Sequence, residues 1–588
     1  MDGYSLLYSS THRTELLGRF QRLRSDGKMC DVVLETDGAS FPCHRALLAS
    51  SSDYFWALFG EATAERLARS IRLPALTSKG LDAILDFLYS GWLRVSPATL
   101  PDILEAARYL QVDTAVAICE RYITDGLSVE NCCSYANLAE HHALPDVLDA
   151  ANYTIAAEMA NLVQERRDEL LGLNVQSLMA VLDADEIPAV KEVDLVKLAL
   201  DWLNDNGPLP PLQSNLLLSR LRFGLVAPSD LAHLGHAHRA MATPLIRSLV
   251  TRAQEYHGTG SAGPIRQNKQ STLRAPPDRV LLVGGGPGPD RPEQQVLTFN
   301  LKTRKFTSLT SCLPLKLRNH CVCSLGGFLF VVGGEVVSEA DEKPVTVETS
   351  NQVWRYDPRF ECWQKVEPML QRRAKFACCA MEDAIYAIGG QNADSNVTAA
   401  LASVEFYDMA AGAWRRCAPM PGPLHGHACA VLDHDIYVSG GLSGNGIIIP
   451  GQSQSSKEVL CWDGMGGAWK KRAPMSIGRF SHRLATAQGY IYALLGMYEP
   501  FCEIERYDPR EDQWTRLRPL LAATFNYGMA ATPSGSLVVF GGTKWSNARE
   551  VAVKSVLEYD PKKDQWREIA QLPKPLTGTE CTILPMPD

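Results

Sequence analysis

Val332-Gly333-Gly334, then Tyr356-Asp357, then Trp363: this pattern decides the fold, because the C-terminal half repeats it. Glycine doublets that end an apolar run stand at Gly284-Gly285, Gly333-Gly334, Gly389-Gly390, Gly440-Gly441 and Gly541-Gly542, with a degraded copy at Leu495-Gly496. Aromatic-acid pairs follow at Tyr356-Asp357, Tyr407-Asp408, Trp462-Asp463, Tyr507-Asp508 and Tyr559-Asp560. Six positions after each Asp comes a tryptophan: Trp363, Trp414, Trp469, Trp514 and Trp566. The first copy keeps the spacing with weaker residues, Phe299-Asn300 and Phe306. Successive doublets lie 46 to 56 residues apart.

The residue types follow from packing. A small antiparallel sheet cannot bury both faces alone, but sheets stacked radially cover one another. Glycine doublets suit a crowded strand end where φ turns positive. Tryptophans on outer strands are core pins against the next sheet, not ligand platforms. The pattern resembles the kelch repeat over the whole C-terminal half, which implies an all-β six-bladed propeller. Arg279-Val280-Leu281-Leu282-Val283 opens without an inner strand, and Glu580-Cys581-Thr582-Ile583-Leu584 is a strand without a doublet. The C-terminal strand is therefore expected to complete the first blade and close the ring.

Working outward, residues 258–277 are rich in Gly, Ser, Gln, Arg and Pro and read as a linker. Before it, from Leu127 to Tyr256, nearly everything has a helical period. Pro208-Leu209-Pro210-Pro211 breaks it locally. Asn131-Cys132-Cys133, Leu138-Ala139-Glu140, Val196 to Trp202 and Leu221-Arg222-Phe223 resemble a BACK domain. At the start, Cys30-Asp31-Val32-Val33-Leu34, Phe41-Pro42-Cys43-His44-Arg45-Ala46-Leu47-Leu48-Ala49-Ser50 and Leu58-Phe59 resemble an α/β BTB domain. The expected division is 1–125 BTB, 126–256 all-α BACK, 257–278 linker and 279–588 propeller.

That order resembles the kelch-like adaptors of cullin-3 ubiquitin ligases. The resemblance implies a homodimer whose BTB and BACK domains hold cullin-3 and whose propeller captures a protein substrate, in the cytoplasm. It implies dimerisation through the helix carrying Leu16, Leu17 and Phe20. It places a cullin contact at Phe59, Thr63 and Glu65, where the family carries a hydrophobic-x-Glu motif and this chain has Thr63-Ala64-Glu65. Threonine there replaces a large apolar group. The alternative class is a cytoskeletal or signalling scaffold without ubiquitin transfer.

In a four-stranded blade the loops entering each inner strand emerge at one end. They carry Arg318-Asn319, Arg372-Arg373, His425, Arg479-Phe480 and Phe525-Asn526-Tyr527. Arg318, Asn319, Arg373, His425, Arg479, Phe480, Phe525 and Tyr527 are the candidate substrate-binding rim, an arginine-aromatic ring suited to acidic or aromatic peptide. The longer loops Glu335 to Gln352 and Leu442 to Lys457 are expected beside it.

Other chemistry is discounted. Gly284-Gly285-Gly286-Pro287-Gly288-Pro289 lacks the helix and Lys-Ser/Thr of a phosphate loop. His141-His142, His425 with His427, and His233, His236 and His238 do not form two ligand pairs at zinc spacing; nor do Cys132-Cys133, Cys321 with Cys323, or Cys378-Cys379. The cysteines read as small hydrophobes rather than redox sensors. No metal, cofactor or catalytic residue is expected. A net charge of −8 gives no reason to expect nucleic acid. No apolar run of membrane-spanning length or signal peptide is evident. Sixteen cysteines without a framework then fit a reducing compartment, in which the Asn152 and Asn396 sequons carry no sugar.

Overall fold

The computed structural model describes residues 9, 11–60, 63–207, 209–234, 239–258, 268–288, 291–340, 343–394, 397–443, 455–464, 467–496, 503–520, 524–546 and 549–586. Among the positions discussed above, Pro208, His236, His238, Pro289, Asn396, much of the 258–277 stretch and part of each long rim loop lie outside the described residues. The chain divides into two compact units, residues 1–190 with 194–220, and residues 191–193 with 221–588.

In the first unit Val32–Thr36 pairs antiparallel with Ala39–Cys43 and parallel with Ser70–Arg72. Asp37-Gly38 makes the turn between the antiparallel strands, Gly38 at φ +113°. Helices Ser78–Ser90 and Leu100–Tyr109 cover this sheet with the fully buried Leu81, Ile84, Leu85, Ile103 and Leu104. The Thr77 hydroxyl caps the first of these helices by accepting from Gly80 N at 3.1 Å. Gly80 is there because a Cβ would stand 2.3 Å from the Asp102 carbonyl of the second helix. His44 is a structural residue: its Nδ1 lies 2.8 Å from the Tyr89 hydroxyl and its Nε2 3.2 Å from the Lys28 carbonyl. Beyond Asn131 the described chain of this unit is helical.

The second unit contains six four-stranded antiparallel sheets among its described residues. In chain order their inner strands are Cys321–Leu325, Ala377–Met381, Ala428–Leu432, Arg483–Ala487, Gly528–Ala531 and Glu580–Leu584. The last of these pairs with Arg279–Val283, Cys581 opposite Leu282, so the end of the chain completes the sheet that the doublet strand begins. Counting that sheet as the first, six separate apolar cores each join two consecutive sheets. One of them joins the sixth sheet back to the first, through Val538 and Phe540 against Val280, Leu282 and Phe299.

The repeated residues do what their chemistry suggests. Gly333 and Gly334 hold φ of +56° and +92°, and a Cβ on Gly333 would meet the Arg373 carbonyl at 2.8 Å. The degraded copy keeps the first angle without glycine, Leu495 being fully buried at φ +51°, while Gly496 opens to +155°. Each repeat tryptophan donates its indole N–H to a carbonyl just beyond the last strand of the preceding sheet. The bonds run Trp363 to Ser311 at 3.4 Å, Trp414 to Glu367 at 2.9 Å, Trp469 to Ala418 at 3.2 Å, Trp514 to Ala473 at 2.9 Å and Trp566 to Arg518 at 3.3 Å.

The stretch expected as a linker is ordered where it is described. Ser271 and Arg274 are buried, and Arg274 donates to both oxygens of Glu192, which belongs to the same unit. The helix Pro244–Gly258 lies in this unit too, its Tyr256 ring 5.1 Å from the Arg359 guanidinium.

Candidate functional site

At the entry to the inner strands the second unit has a cavity of about 470 Å³. One residue from each of the six sheets lines it in left-handed backbone conformation: Asn319, Lys375, Gly426, Ser481, Asn526 and Gly578, at φ of +53°, +50°, +63°, +50°, +53° and +71°. Backbone bonds tie neighbours together, Lys375 N to Asn319 O at 3.1 Å, Gly426 N to Lys375 O at 2.8 Å, Ser481 N to Gly426 O at 2.8 Å and Gly578 N to Asn526 O at 2.7 Å. Among the described residues four of the six junctions around the mouth carry such a bond, while the side chains differ from sheet to sheet.

The left-handed residue sets the frame for its neighbours. The residue one before it reaches the cavity at four of the six places, Arg318, His425, Phe480 and Thr577, and not at Ala374 or Phe525. The residue two before it turns back into the sheet. This corrects the expectation for Arg373 and Arg479, which are not rim residues. Both are fully buried and ion-paired, Arg373 to Glu405 at 2.6 Å and Arg479 to Glu505 at 2.8 Å. Arg373 also donates to the Gly389 and Ser403 carbonyls, and Arg479 to those of Leu495 and Glu503. They brace the doublet turn against the third strand. Burial pushes the Glu505 carboxyl up, but hydrogen bonds from Ser476 and Arg479 outweigh it and leave it below its ordinary value.

Phe525 and Tyr527 are likewise buried and outside the cavity lining. Tyr527 follows its left-handed residue and donates to the Leu494 carbonyl of the preceding sheet at 2.5 Å. At the equivalent place His320 and His427 reach the Val283 and Ile388 carbonyls at 3.2 and 3.0 Å. Burial lowers both imidazoles to about 4, so they are neutral donors that pin one sheet to the next.

Of the expected rim, Arg318, Asn319, His425 and Phe480 line the cavity, the last two as buried parts of its wall, 3% and 4% exposed. Arg318 and Asn319 share the Glu335 carboxylate, at 2.7 and 3.0 Å. The His425 and Phe480 rings meet edge to face at 5.7 Å. Two cavity cations were missed by the sequence reading. Lys375, half-buried, has no ion-pair partner among the described residues. Arg483 pairs with Glu580 deeper in the cavity. The missing signal is conformational: nothing about a lysine announces a left-handed backbone.

The inner-strand thiols Cys321 and Cys323 pack at an apolar core, Cys321 also lining the cavity with Glu580 and Arg483. Cys323 and Cys378 approach to 3.8 Å across two sheets, and burial pushes the Cys321 thiol well up. Neither arrangement favours a reactive thiolate.

In the first unit Leu17 and Phe20 pack against the unit's own core, while Leu16 is exposed. Phe59 stacks on Phe55 and lies under the Arg45 guanidinium. The Thr63 hydroxyl donates to the Leu58 carbonyl at 2.7 Å and contacts that of Gly60 at 3.0 Å, so it closes the turn after helix Asp53–Leu58. The Glu65 carbonyl accepts from Arg45. Trp56 and Leu67, 71% and 86% exposed, flank this segment and were not singled out from sequence. A six-residue helix reading Asp-Tyr-Phe-Trp-Ala-Leu has more large apolar groups than one buried face can take.

Among the described residues no helix is long and apolar enough to cross a membrane. Comparison with known families matches residues 20–127 to the BTB/POZ domain and 132–235 to the BACK domain, "BTB And C-terminal Kelch". Residues 249–441 and 319–526 match the KLHDC2/KLHL20/DRC7 Kelch-repeats domain, and 530–573 the Kelch motif. Kelch-like protein 34 of Homo sapiens is 40% identical over 628 residues, spanning 99% of this chain and 96% of that protein. Kelch-like protein 36 of Bos taurus is 32% identical, spanning 97% and 92%. Kelch-like protein 15 of Danio rerio is 26% identical, spanning 99% and 97%. With BTB, BACK and kelch sequences in that order and relatives aligned from end to end, this chain belongs to the kelch-like family.

Proposed function

We propose that this chain is a non-catalytic substrate-recognition adaptor of a cullin-3 RING E3 ubiquitin ligase, cytoplasmic and homodimeric. In this reading residues 1–125 dimerise through Leu16, Leu17 and Phe20 and, with the BACK region 126–256, hold the cullin at Phe59, Thr63 and Glu65. Residues 279–588 form a six-bladed propeller closed by the C-terminal strand. The apolar core between the sixth and first sheets supports that closure. Two propellers on one dimer raise effective concentration toward a substrate with two sites.

The observation that carries the capture reading is the cavity mouth. Its six left-handed residues frame it, Arg318, Asn319 and Lys375 offer cationic and polar groups there, and the buried His425 and Phe480 rings form part of its wall. Such a surface suits an extended peptide with acidic and aromatic side chains. Immunoprecipitation of the full chain, probed for cullin-3 and for ubiquitylated co-purifying proteins, tests the adaptor role. Co-purification of cullin-3 supports it. Stable partners without cullin-3 favour the scaffold reading. One observation favours that second reading: the Thr63 side chain is turned into its own loop and offers no large apolar group.

A further inference from the structure

Helix Leu100–Tyr109 carries Glu105, and helix Cys132–His141 ends at His141 with His142 as its C-cap. One ligand atom from each of Glu105, His141 and His142 can be chosen so that all three lie within 4.8 Å of one another. His142 is the informative member. Its side chain is only 6% exposed, and its imidazole makes no hydrogen bond among the described residues. Its Nδ1 faces Glu105 Oε2 at 3.9 Å, too long for a hydrogen bond. The ring and the carboxylate thus face each other across a gap that one ion can bridge.

We propose that Glu105, His141 and His142 form a Zn²⁺ site. Zinc binds imidazole nitrogen and carboxylate oxygen at about 2.0–2.2 Å, so two ligand atoms of one ion can stand no more than roughly 4.3 Å apart. The Glu105–His142 separation already meets this. His141 and Glu105 are exposed and free to turn by the remaining fraction of an ångström. Two neutral imidazoles and one carboxylate leave a fourth position for water. The His142 ring is delivered by the chain reversal that follows it: Ala143 is left-handed at φ +51°, and Arg108 fixes its carbonyl at 3.0 Å. Arg108 is the one local charge that opposes a cation, and its guanidinium is engaged on that carbonyl.

Glu105 lies in the segment that matches BTB, and both histidines in the segment that matches BACK. The ion would clamp one to the other. The sequence gives no hint of it, because the acid is 36 residues from the first histidine and no pair has zinc-finger spacing.

Chelator-stripped full-length protein titrated with Co²⁺ alone tests the site, because nitrogen-oxygen ligation gives d–d bands without thiolate charge transfer and so differs from cysteine binding. One such equivalent, displaced by Zn²⁺, is expected. His141→Ala and Glu105→Ala are exposed substitutions that leave the fold intact. Each should weaken this binding more than about 100-fold, since removing a mere second-shell partner already costs about 10–100-fold. Zn²⁺ should raise the melting temperature of the wild type and not of the variants. Co²⁺ binding with thiolate signature only, no binding, or equal binding by wild type and both variants overturns the proposal.

Discussion

The outer and inner ends of the six sheets obey different rules of repetition. At the outer end the chemistry repeats: five tryptophans each give an indole N–H to the chain leaving the preceding sheet. At the cavity mouth only the conformation repeats. Asn319, Lys375, Gly426, Ser481, Asn526 and Gly578 share a left-handed backbone and no side-chain type. A repeat protein stacks because its packing residues recur, and it can bind something particular because its displayed residues do not.

The largest test of that contrast is Trp414→Ala. Trp414 is 5% exposed, and its loss should cost about 3–5 kcal/mol in chemical denaturation. The same change at the more exposed Trp566 should cost visibly less. Equal losses would mean that the hydrogen bond, common to both, matters more than burial.

Arg479→Ala should be nearly as damaging, about 3–5 kcal/mol, because it strands the Glu505 carboxylate in a buried site. Lys375→Ala should change stability by no more than about 0.5 kcal/mol while weakening capture of an acidic peptide, measured by calorimetry. Loss of stability from Lys375→Ala, or none from Arg479→Ala, would invert the assignment of packing and display.

Those two residues show where sequence reading stopped. The sheets were readable because Gly-Gly, Tyr-Asp and Trp at fixed spacing have few other uses. The mouth was readable only as a neighbourhood. Positive charge near a strand start drew attention to Arg373 and Arg479 along with Arg318. The frame that separates them is set by a backbone angle that Asn, Lys, Ser and Gly all adopt here. A shift of one position along an extended segment exchanges cavity for core. Glu105 with His141 and His142 fails for a different reason, since two helices must dock before those groups meet.

The inner pins predict an acid weakness. His320 and His427 are lowered to about 4 in the folded chain, against about 6.5 unfolded. Between those values the unfolded chain takes up protons that the folded chain refuses. Their contribution is therefore complete above about pH 6.5 and is lost as pH falls toward 4, by roughly 3 kcal/mol for each histidine. Denaturation midpoints at pH 7 and pH 5 should differ, and His427→Gln should flatten the difference. An unchanged slope in that variant would assign the acid sensitivity elsewhere.

The smallest effect concerns the other display surface. Thr63 gives its hydroxyl to its own turn, and its neighbours Trp56 and Leu67 carry the exposed apolar area. Thr63→Leu removes that hydrogen bond, at about 1 kcal/mol of stability. It adds two or three methylene equivalents, each about 0.8 kcal/mol when buried. If the segment meets a cullin, affinity should rise by roughly one to two orders of magnitude while the melting temperature falls slightly. Calorimetry of full-length wild type, Thr63→Leu and Trp56→Ala with the cullin-3 N-terminal domain separates the cases. Gain at Thr63 with loss at Trp56 places both in one interface. Tight binding unaffected by Thr63→Leu puts the contact elsewhere on the unit. No binding by any of the three favours the scaffold reading.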